Sequence, residues 1–252
     1  MRKAMMSAAA AVLMALSGSA LAAGGVEVPE REWSFEGVFG TYDRASMQRG
    51  LQIYKESCSG CHSLNLIYFR NLTDLGYTEA QAKAFAAEYE VQDGPNDEGE
   101  MYTRAAIPSD RFVKPFPNDN AARAGNNGAL PPDLSLMVEA RPGGANYLYA
   151  LLTGYADAPA GTDMMEGMNY NNYFPGHQIA MAPPLSEDGI EYEDGTKATV
   201  AQQAEDIVTF LAWASEPNME ARKKMGIKVM IFLIVLTGIL IAVKKRVWAD
   251  VH

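Results

Sequence analysis

The sequence predicts a mainly α domain with long loops, carried on one C-terminal transmembrane helix. Three observations lead there. Apolar residues recur at helical spacing behind cap residues, a tract rich in Pro, Gly, Asn and Asp separates those stretches, and residues 227–243 are apolar apart from Lys228.

In chain order, Arg2 and Lys3, an apolar stretch at 8–16 and small residues ending Ala20-Leu21-Ala22-Ala23 follow the order of a cleavable export signal. That stretch is shorter than the roughly 20 residues a bilayer span requires. Residues 1–22 are therefore expected to be a signal peptide.

Residues 43–57 set Met47, Leu51 and Tyr54 on one helical face with Asp43 as cap. Thr78-Glu79-Ala80-Gln81 is a capping box opening a second helix to about Glu90, which includes Phe85. From Val91 to Pro142 the composition predicts long ordered loops wrapped on something buried. Residues 144–153 form a short helix presenting Tyr147, Leu148, Leu151 and Leu152. Thr199-Val200-Ala201-Gln202 is another capping box, with Val200, Ala204, Ile207, Val208 and Leu211 behind it on one face.

The apolar run at 227–243 then reads as a membrane anchor, with Lys228 near a boundary where its ammonium can snorkel to the headgroups. Positive charge flanks both ends, Arg222, Lys223 and Lys224 before and Lys244, Lys245 and Arg246 after, so charge bias alone leaves the orientation tied. An export signal breaks the tie. It places residues 23–219 outside as one periplasmic domain, 220–246 as the anchor with its flanks, and 247–252 as a short cytoplasmic tail of a bacterial inner-membrane protein.

The whole chain has formal charge −10, yet residues 23–219 hold 29 acids against 12 basic residues, a net −17. Such a field repels nucleic acid and steers basic protein partners at rates that fall with salt. Solubility alone also accounts for it.

The chain has two cysteines, both in Cys58-Ser59-Gly60-Cys61-His62. Cys-x-x-Cys-His is the attachment signal for a c-type haem. Two thiols three residues apart can add to the two vinyl groups of one porphyrin, and the adjoining His62 then reaches the iron as proximal ligand. A disulfide would close too short a loop to gain much chain entropy and would not require the histidine. A thioredoxin-like pair should follow a strand, whereas the approach here reads as helical. Zinc needs four ligands, and the remaining histidines are His177 and His252.

The sixth iron position sets the function. An open one suits ligand sensing or oxygen chemistry, and a filled one suits electron transfer, with methionine raising the potential. Met101, Met137, Met164, Met165, Met168, Met181, Met219 and His177 all lie downstream. Met181 leads, because Gln178-Ile179-Ala180-Met181-Ala182-Pro183-Pro184-Leu185 would fix an apolar loop against a haem face. His177, after Pro175 and Gly176, remains the alternative.

Several longer motifs carry a resemblance. Trp33-Ser34-Phe35-Glu36-Gly37, the haem motif itself, Asn126-Asn127-Gly128-Ala129-Leu130-Pro131-Pro132-Asp133-Leu134-Ser135, Leu151-Leu152-Thr153-Gly154-Tyr155, Tyr173-Phe174-Pro175-Gly176, Met181-Ala182-Pro183-Pro184 and Phe210-Leu211-Ala212-Trp213-Ala214 closely resemble the cytochrome c1 family. Its members are haem subunits of ubiquinol–cytochrome c reductase, the cytochrome bc1 complex. The resemblance implies a c-type cytochrome domain with Met181 as sixth ligand and Asn126, Pro132, Arg141, Tyr147 and Phe174 lining the haem pocket, Arg141 near a propionate. A guanidinium pairs well with a buried carboxylate.

It also implies electrons arriving from the Rieske iron-sulfur protein and leaving to a soluble or tethered cytochrome c. Cytochrome b is then the membrane neighbour in a dimeric complex, with membrane lipid around the anchor and no bond-making active site in this subunit. Two features depart from some bacterial relatives. There are no spare cysteines for an inserted disulfide segment, and residues 24–37 leave no room for a long acidic extension. Acidic docking would then fall on the domain itself, at Asp93, Asp97, Glu98 and Glu100 or at Glu187, Asp188, Glu191, Glu193 and Asp194. A haem subunit of another membrane enzyme, and a haem sensor or peroxidase, are the rival functions.

Overall fold

The computed structural model describes residues 26–250, so the expected signal peptide lies outside the described residues. Asp43 caps the first helix, α1 (Arg44–Ile53), by accepting from the Ser46 amide, and Met47, Leu51 and Tyr54 are all buried as the spacing predicts. The helix does not continue to Ser57 as plain α. It widens into a π-helical turn, Tyr54–Cys58, closed by the Ser59 amide on the Tyr54 carbonyl at 2.8 Å. Such turns admit one extra residue and cluster at functional sites.

A 3-10 segment, Phe69–Leu75, leads to α2 (Glu79–Ala86), where Thr78 and Gln81 form the full reciprocal capping box. This helix stops four residues before the expected end. Tyr89 turns back to pack on Phe69 and Phe85, with ring centroids 5.2 and 5.6 Å apart, and the chain is taken up by a hairpin. Strands β1 (Glu90–Asp93) and β2 (Tyr102–Ala105) pair antiparallel with Glu90 opposite Ala105. The loop-rich tract therefore carries structure of its own, continuing with α3 (Asp119–Gly125) and the single-turn α4 (Met137–Ala140). The hairpin escapes a pattern reading because its strands are mostly exposed and do not alternate apolar with polar.

Helix α5 (Gly144–Thr153) matches its expected bounds. A two-residue ladder follows, β3 (Asn169–Tyr170) against β4 (Gln178–Ile179). The centre of the domain is α6 (Val200–Ser215), buried continuously from Asp206 to Ala214. Thr199 caps it through the Gln202 amide, but the Gln202 side chain donates to Asp206 instead of completing the box.

Helix α1 crosses α6 at Gly50, where an added Cβ would lie 2.2 Å from the Asp206 carbonyl oxygen. Only a glycine permits so close an approach of two backbones. Around the crossing, Asp206 is fully buried and accepts from Ser46 Oγ at 2.8 Å and from Arg49 Nε and Nη2 at 2.8 and 2.9 Å. A buried carboxylate needs such partners, and this one locks the helix pair. Tyr54, Phe112, Phe69 and Phe210 extend the core from there toward the haem motif.

The last helix, α7 (Met219–Val247), has 29 residues, about 43 Å at the α-helical rise. Ile231, Phe232, Leu233, Ile234 and Val235 are all exposed on it. It is long and apolar enough to cross a bilayer, which fits a single-pass membrane protein.

Candidate functional site

The π-helical turn ends on Cys58, and the next residues close a compact loop in which the amides of Cys61 and His62 both donate to the Cys58 carbonyl, at 3.1 and 2.9 Å. Cys58 is half-buried, Cys61 is exposed, and no disulfide joins them. Burial, followed by the neighbouring Cys61, pushes the Cys58 thiol up to about 12.

His62 is held from two sides. Its backbone carbonyl accepts from Tyr54 Oη at 3.0 Å, and burial raises the tyrosine pKa so that the phenol stays a donor. Its ring Nδ1 lies 2.8 Å from the Pro132 carbonyl oxygen. A carbonyl can only accept, so Nδ1 carries the hydrogen and Nε2 keeps a lone pair for a metal. Burial lowers the His62 pKa, outweighing the Pro132 hydrogen bond and the Asp133 charge, so the ring is neutral.

The Pro132 segment is fastened to the histidine segment along its length. Leu134 N donates to the Ser63 carbonyl at 2.9 Å, Asp133 Oδ2 accepts from Ser63 Oγ at 2.8 Å and Asn65 N at 2.7 Å, and Leu66 N donates to Ser135 Oγ at 3.0 Å. Burial pushes the Asp133 carboxyl upward, but its hydrogen bonds from Ser135, Asn65 and Ser63 prevail and hold it below the usual carboxylate range. Asp133 and Ser135 are thus working parts of the site that the sequence shows only as letters within a motif.

Asn126 ends α3, with its Nδ2 donating to the Ala122 carbonyl at 2.7 Å. Asn127 and Gly128 follow with φ of 51° and 86°, a left-handed pair that turns the chain into Leu130-Pro131-Pro132. Arg141 is exposed and makes no ion pair with any described residue; burial raises the pKa of the half-buried Tyr147 on α5, and the Arg141 charge opposes that rise.

Phe174 and His177 belong to a second structure, organised by Asn171. This fully buried side chain donates to the Leu151 carbonyl of α5 at 2.8 Å and accepts from the amides of Tyr173 and Phe174 at 2.9 and 3.2 Å. The Asn171 amide donates to the His177 carbonyl, and His177 N donates to the Phe174 carbonyl at 2.8 Å. His177 itself has φ of 60°, stacks on Tyr170 and places Nδ1 3.1 Å from the Asn171 carbonyl, which makes it a closing piece of this turn. A Cβ on Gly154 would lie 2.5 Å from Tyr173 Cδ2, so the turn also sits hard against the end of α5.

From this turn β4 leads to Met181, which is half-buried. The Met181 carbonyl accepts from Tyr155 Oη at 3.1 Å and Asn169 Nδ2 at 3.4 Å. Burial alone pushes the Tyr155 phenol up to about 12, keeping it a donor. The Asn126 and Met181 segments are linked through an intermediate loop: Asn127 Nδ2 would stand 2.8 Å from a Cβ on Gly167, and Met165 N donates to Gln178 Oε1 at 2.9 Å.

This donor set fits a covalently attached haem c. Two unbridged cysteines sit beside a neutral histidine whose Nδ1 is already occupied, and an outer hydrogen bond of that kind is what fixes a haem-ligating or metal-ligating imidazole. Among the acids, Asp93 pairs with Arg104 and Asp194 with Arg49, whereas Asp97, Glu98, Glu100, Asp188, Glu191 and Glu193 are exposed.

Comparison with known proteins gives concordant matches. Residues 33–251 match the cytochrome C1 family. Cytochrome c1 of Rhodospirillum rubrum is 48% identical over 260 residues, covering 96% of this chain and 96% of that protein. A mitochondrial cytochrome c1 heme protein of Arabidopsis thaliana is 54% identical over 222 residues, 88% of this chain and 72% of that protein. Cytochrome b/c1 of Bradyrhizobium diazoefficiens is 45% identical over 271 residues, 99% of this chain but 39% of that longer protein.

Proposed function

The chain belongs to the cytochrome c1 family, and from that premise we propose that it is the haem subunit of a quinol–cytochrome c reductase. In this reading it passes single electrons from a Rieske iron-sulfur protein to cytochrome c. The observation that carries the reading is the locked imidazole, His62 Nδ1 on the Pro132 carbonyl at 2.8 Å, beside two free cysteines.

Cys58 and Cys61 would hold the porphyrin through thioether bonds, and His62 would offer Nε2 to its iron. When bound, the haem supplies a one-electron Fe(III)/Fe(II) couple. Met181 would supply the second iron ligand, a soft thioether that favours the reduced state, and Tyr155 and Asn169 hold its backbone in place. Asn126, Pro132, Tyr147 and Phe174 line the pocket and exclude water, and Arg141, free of other ion partners among the described residues, pairs with a propionate. None of these side chains makes or breaks a substrate bond. Their task is to keep the iron's surroundings the same in both oxidation states.

The remaining assignments follow from the reading. Residues 1–22 export the domain, α7 anchors it in the bacterial inner membrane with the haem domain in the periplasm, and cytochrome b is the neighbour within a dimeric complex. The exposed acids and the net −17 of residues 23–219 steer a basic cytochrome c.

Purification from membranes tests this. A b-type cytochrome and a Rieske protein should accompany the chain, and its quinol-driven reduction of cytochrome c should slow as added salt shrinks the Debye length from about 30 Å to about 8 Å. Copper or a flavin subunit in their place would overturn the assignment, and a rate indifferent to salt would remove the docking role of the acids. The native reduced protein should not bind carbon monoxide promptly. Met181→Leu should bind it and show a lower midpoint potential, and an unchanged potential would mean that another residue ligates the iron.

A further inference from the structure

Residues 34–41 form a closed loop whose tip has no role in the site. The Thr41 amide donates to the Ser34 carbonyl at 3.0 Å and the Glu36 amide to the Trp33 carbonyl at 3.0 Å. Gly37 turns with φ of 69°, and a Cβ on Gly40 would lie 1.9 Å from the Glu36 carbonyl oxygen. Two glycines thus fix a tight turn, and that turn displays Val38 and Phe39 at 63% and 83% exposure. A loop closed this tightly holds its apolar tip outward by construction.

The base of the loop is bolted to the end of α6 and the start of α7, and the bolts advance along the chain. Tyr42 Oη donates to the carbonyls of Ala212 and Glu216, both at 3.1 Å. The Tyr42 amide and Arg44 donate to Glu220, in the first turn of α7. Three residues further, Lys223 Nζ donates to the carbonyls of Phe35 and Gly40, at 2.6 and 3.2 Å. The loop therefore runs from Tyr42 toward Phe39 in the direction in which α7 runs toward its apolar stretch. That stretch begins at Ile227, about 6 Å beyond Lys223 at the helical rise.

We propose that Val38 and Phe39 dip into the lipid interface beside the anchor, as a second attachment that sets the tilt of the domain on the membrane. The occupant is a phospholipid surface. The attachment is continuous with α7, which carries the exposed Lys224 and Lys228 around the start of its apolar stretch as cations for headgroup phosphates, while Glu36, exposed at the near side of the turn, stays in water. One contact of a helix with a membrane leaves the domain free to lean. Two contacts separated around the helix hold the haem at a constant orientation for its electron donor.

The inference rests on α7 being the membrane anchor, and the test separates the two. The full-length holoprotein is reconstituted in vesicles of phosphatidylcholine and phosphatidylglycerol. With Cys58 and Cys61 consumed by the haem, a nitroxide is placed at Phe39→Cys, at Val38→Cys as the second variant, at Met101→Cys on an exposed site of the loop before β2, and at Ile234→Cys in mid-anchor. An unaltered haem spectrum certifies each fold. The ratio of collision with dissolved oxygen to collision with an aqueous nickel chelate should be several-fold higher at positions 38 and 39 than at 101.

A ratio equal to that at 101, with Ile234→Cys in lipid, overturns the inference and leaves the anchor standing. An aqueous label at 234 overturns both. The same labels in the purified complex should keep their oxygen preference. Shielding from both reagents there would mean that a protein neighbour covers the tip, which also overturns the lipid assignment.

Discussion

The His62 side and the Met181 side of the site are built on different principles. Residues 62–66 and 132–135 are joined by a ladder of separate hydrogen bonds: a ring nitrogen, two backbone amides, a carboxylate with several donors and a serine hydroxyl. Around Met181 nearly everything converges on one side chain, Asn171, which ties α5, the Tyr173–Phe174 turn and His177 together before β4 delivers the methionine. A ladder tolerates the loss of a rung. A hub does not, so Met181, the proposed ligand that the hub holds, should be the one a single substitution can unseat.

Asn171→Ala is the sharpest way to break that contrast. It leaves a partly buried carbonyl and two amides without partners, and each such loss is worth about 1–3 kcal/mol, so at least about 3 kcal/mol of stability should disappear, as read from denaturant midpoints. Carbon monoxide should then bind the reduced iron while the histidine ligand stays in place. Loss of the histidine ligand together with Met181 would mean that the two sides are a single unit and the contrast is false.

On the ladder side, Asp133→Asn should cost about 1–2 kcal/mol at neutral pH, because it weakens hydrogen bonds to a charged acceptor without opening the iron. Its pH signature is specific. The folded pKa of Asp133 lies below the ordinary carboxylate value, so its contribution is complete above about pH 4 and fades as the pH falls through the depressed folded value. Acid unfolding curves of the wild type and Asp133→Asn should converge toward low pH. A constant gap down to pH 2 would show that the carboxylate charge is irrelevant and only its shape counts.

The difference between the two sides also explains what could be read in advance. Cys58, Cys61 and His62 are legible because thioether attachment imposes a spacing of adjacent residues, and α1, α5 and α6 are legible because burial imposes a period of 3.6 on Met47, Leu51, Tyr54 and their counterparts. The π-helical turn leaves no such period, and the exposed β1–β2 hairpin has no apolar alternation to betray it. Asn171 is illegible for a related reason: its value lies in four contacts to backbone groups, which any local sequence can supply. Met181 is favoured as the proposed ligand over seven other downstream methionines and histidines by its Pro-Pro neighbour and the family resemblance, whereas its support from Tyr155 and Asn169 comes through its carbonyl and is invisible in residue types.

Tyr155→Phe gives the smallest effect and the finest test of how Met181 is held. Removing one neutral hydrogen bond to the Met181 carbonyl should cost about 0.5–1.5 kcal/mol, and Asn169 remains to hold the same oxygen. Partial loosening predicts slow, incomplete binding of carbon monoxide, between the silence of the wild type and the full response of Asn171→Ala. The tyrosine also carries an alkaline signature opposite to that of Asp133. Burial raises its folded pKa from 10.0 to about 12, so the wild type keeps this contribution at neutral pH and loses it as the pH climbs from about 10 through about 12. In that window the native iron should begin to admit carbon monoxide and Tyr155→Phe should show no further change, whereas an identical alkaline transition in both proteins would assign the opening to some group other than this phenol.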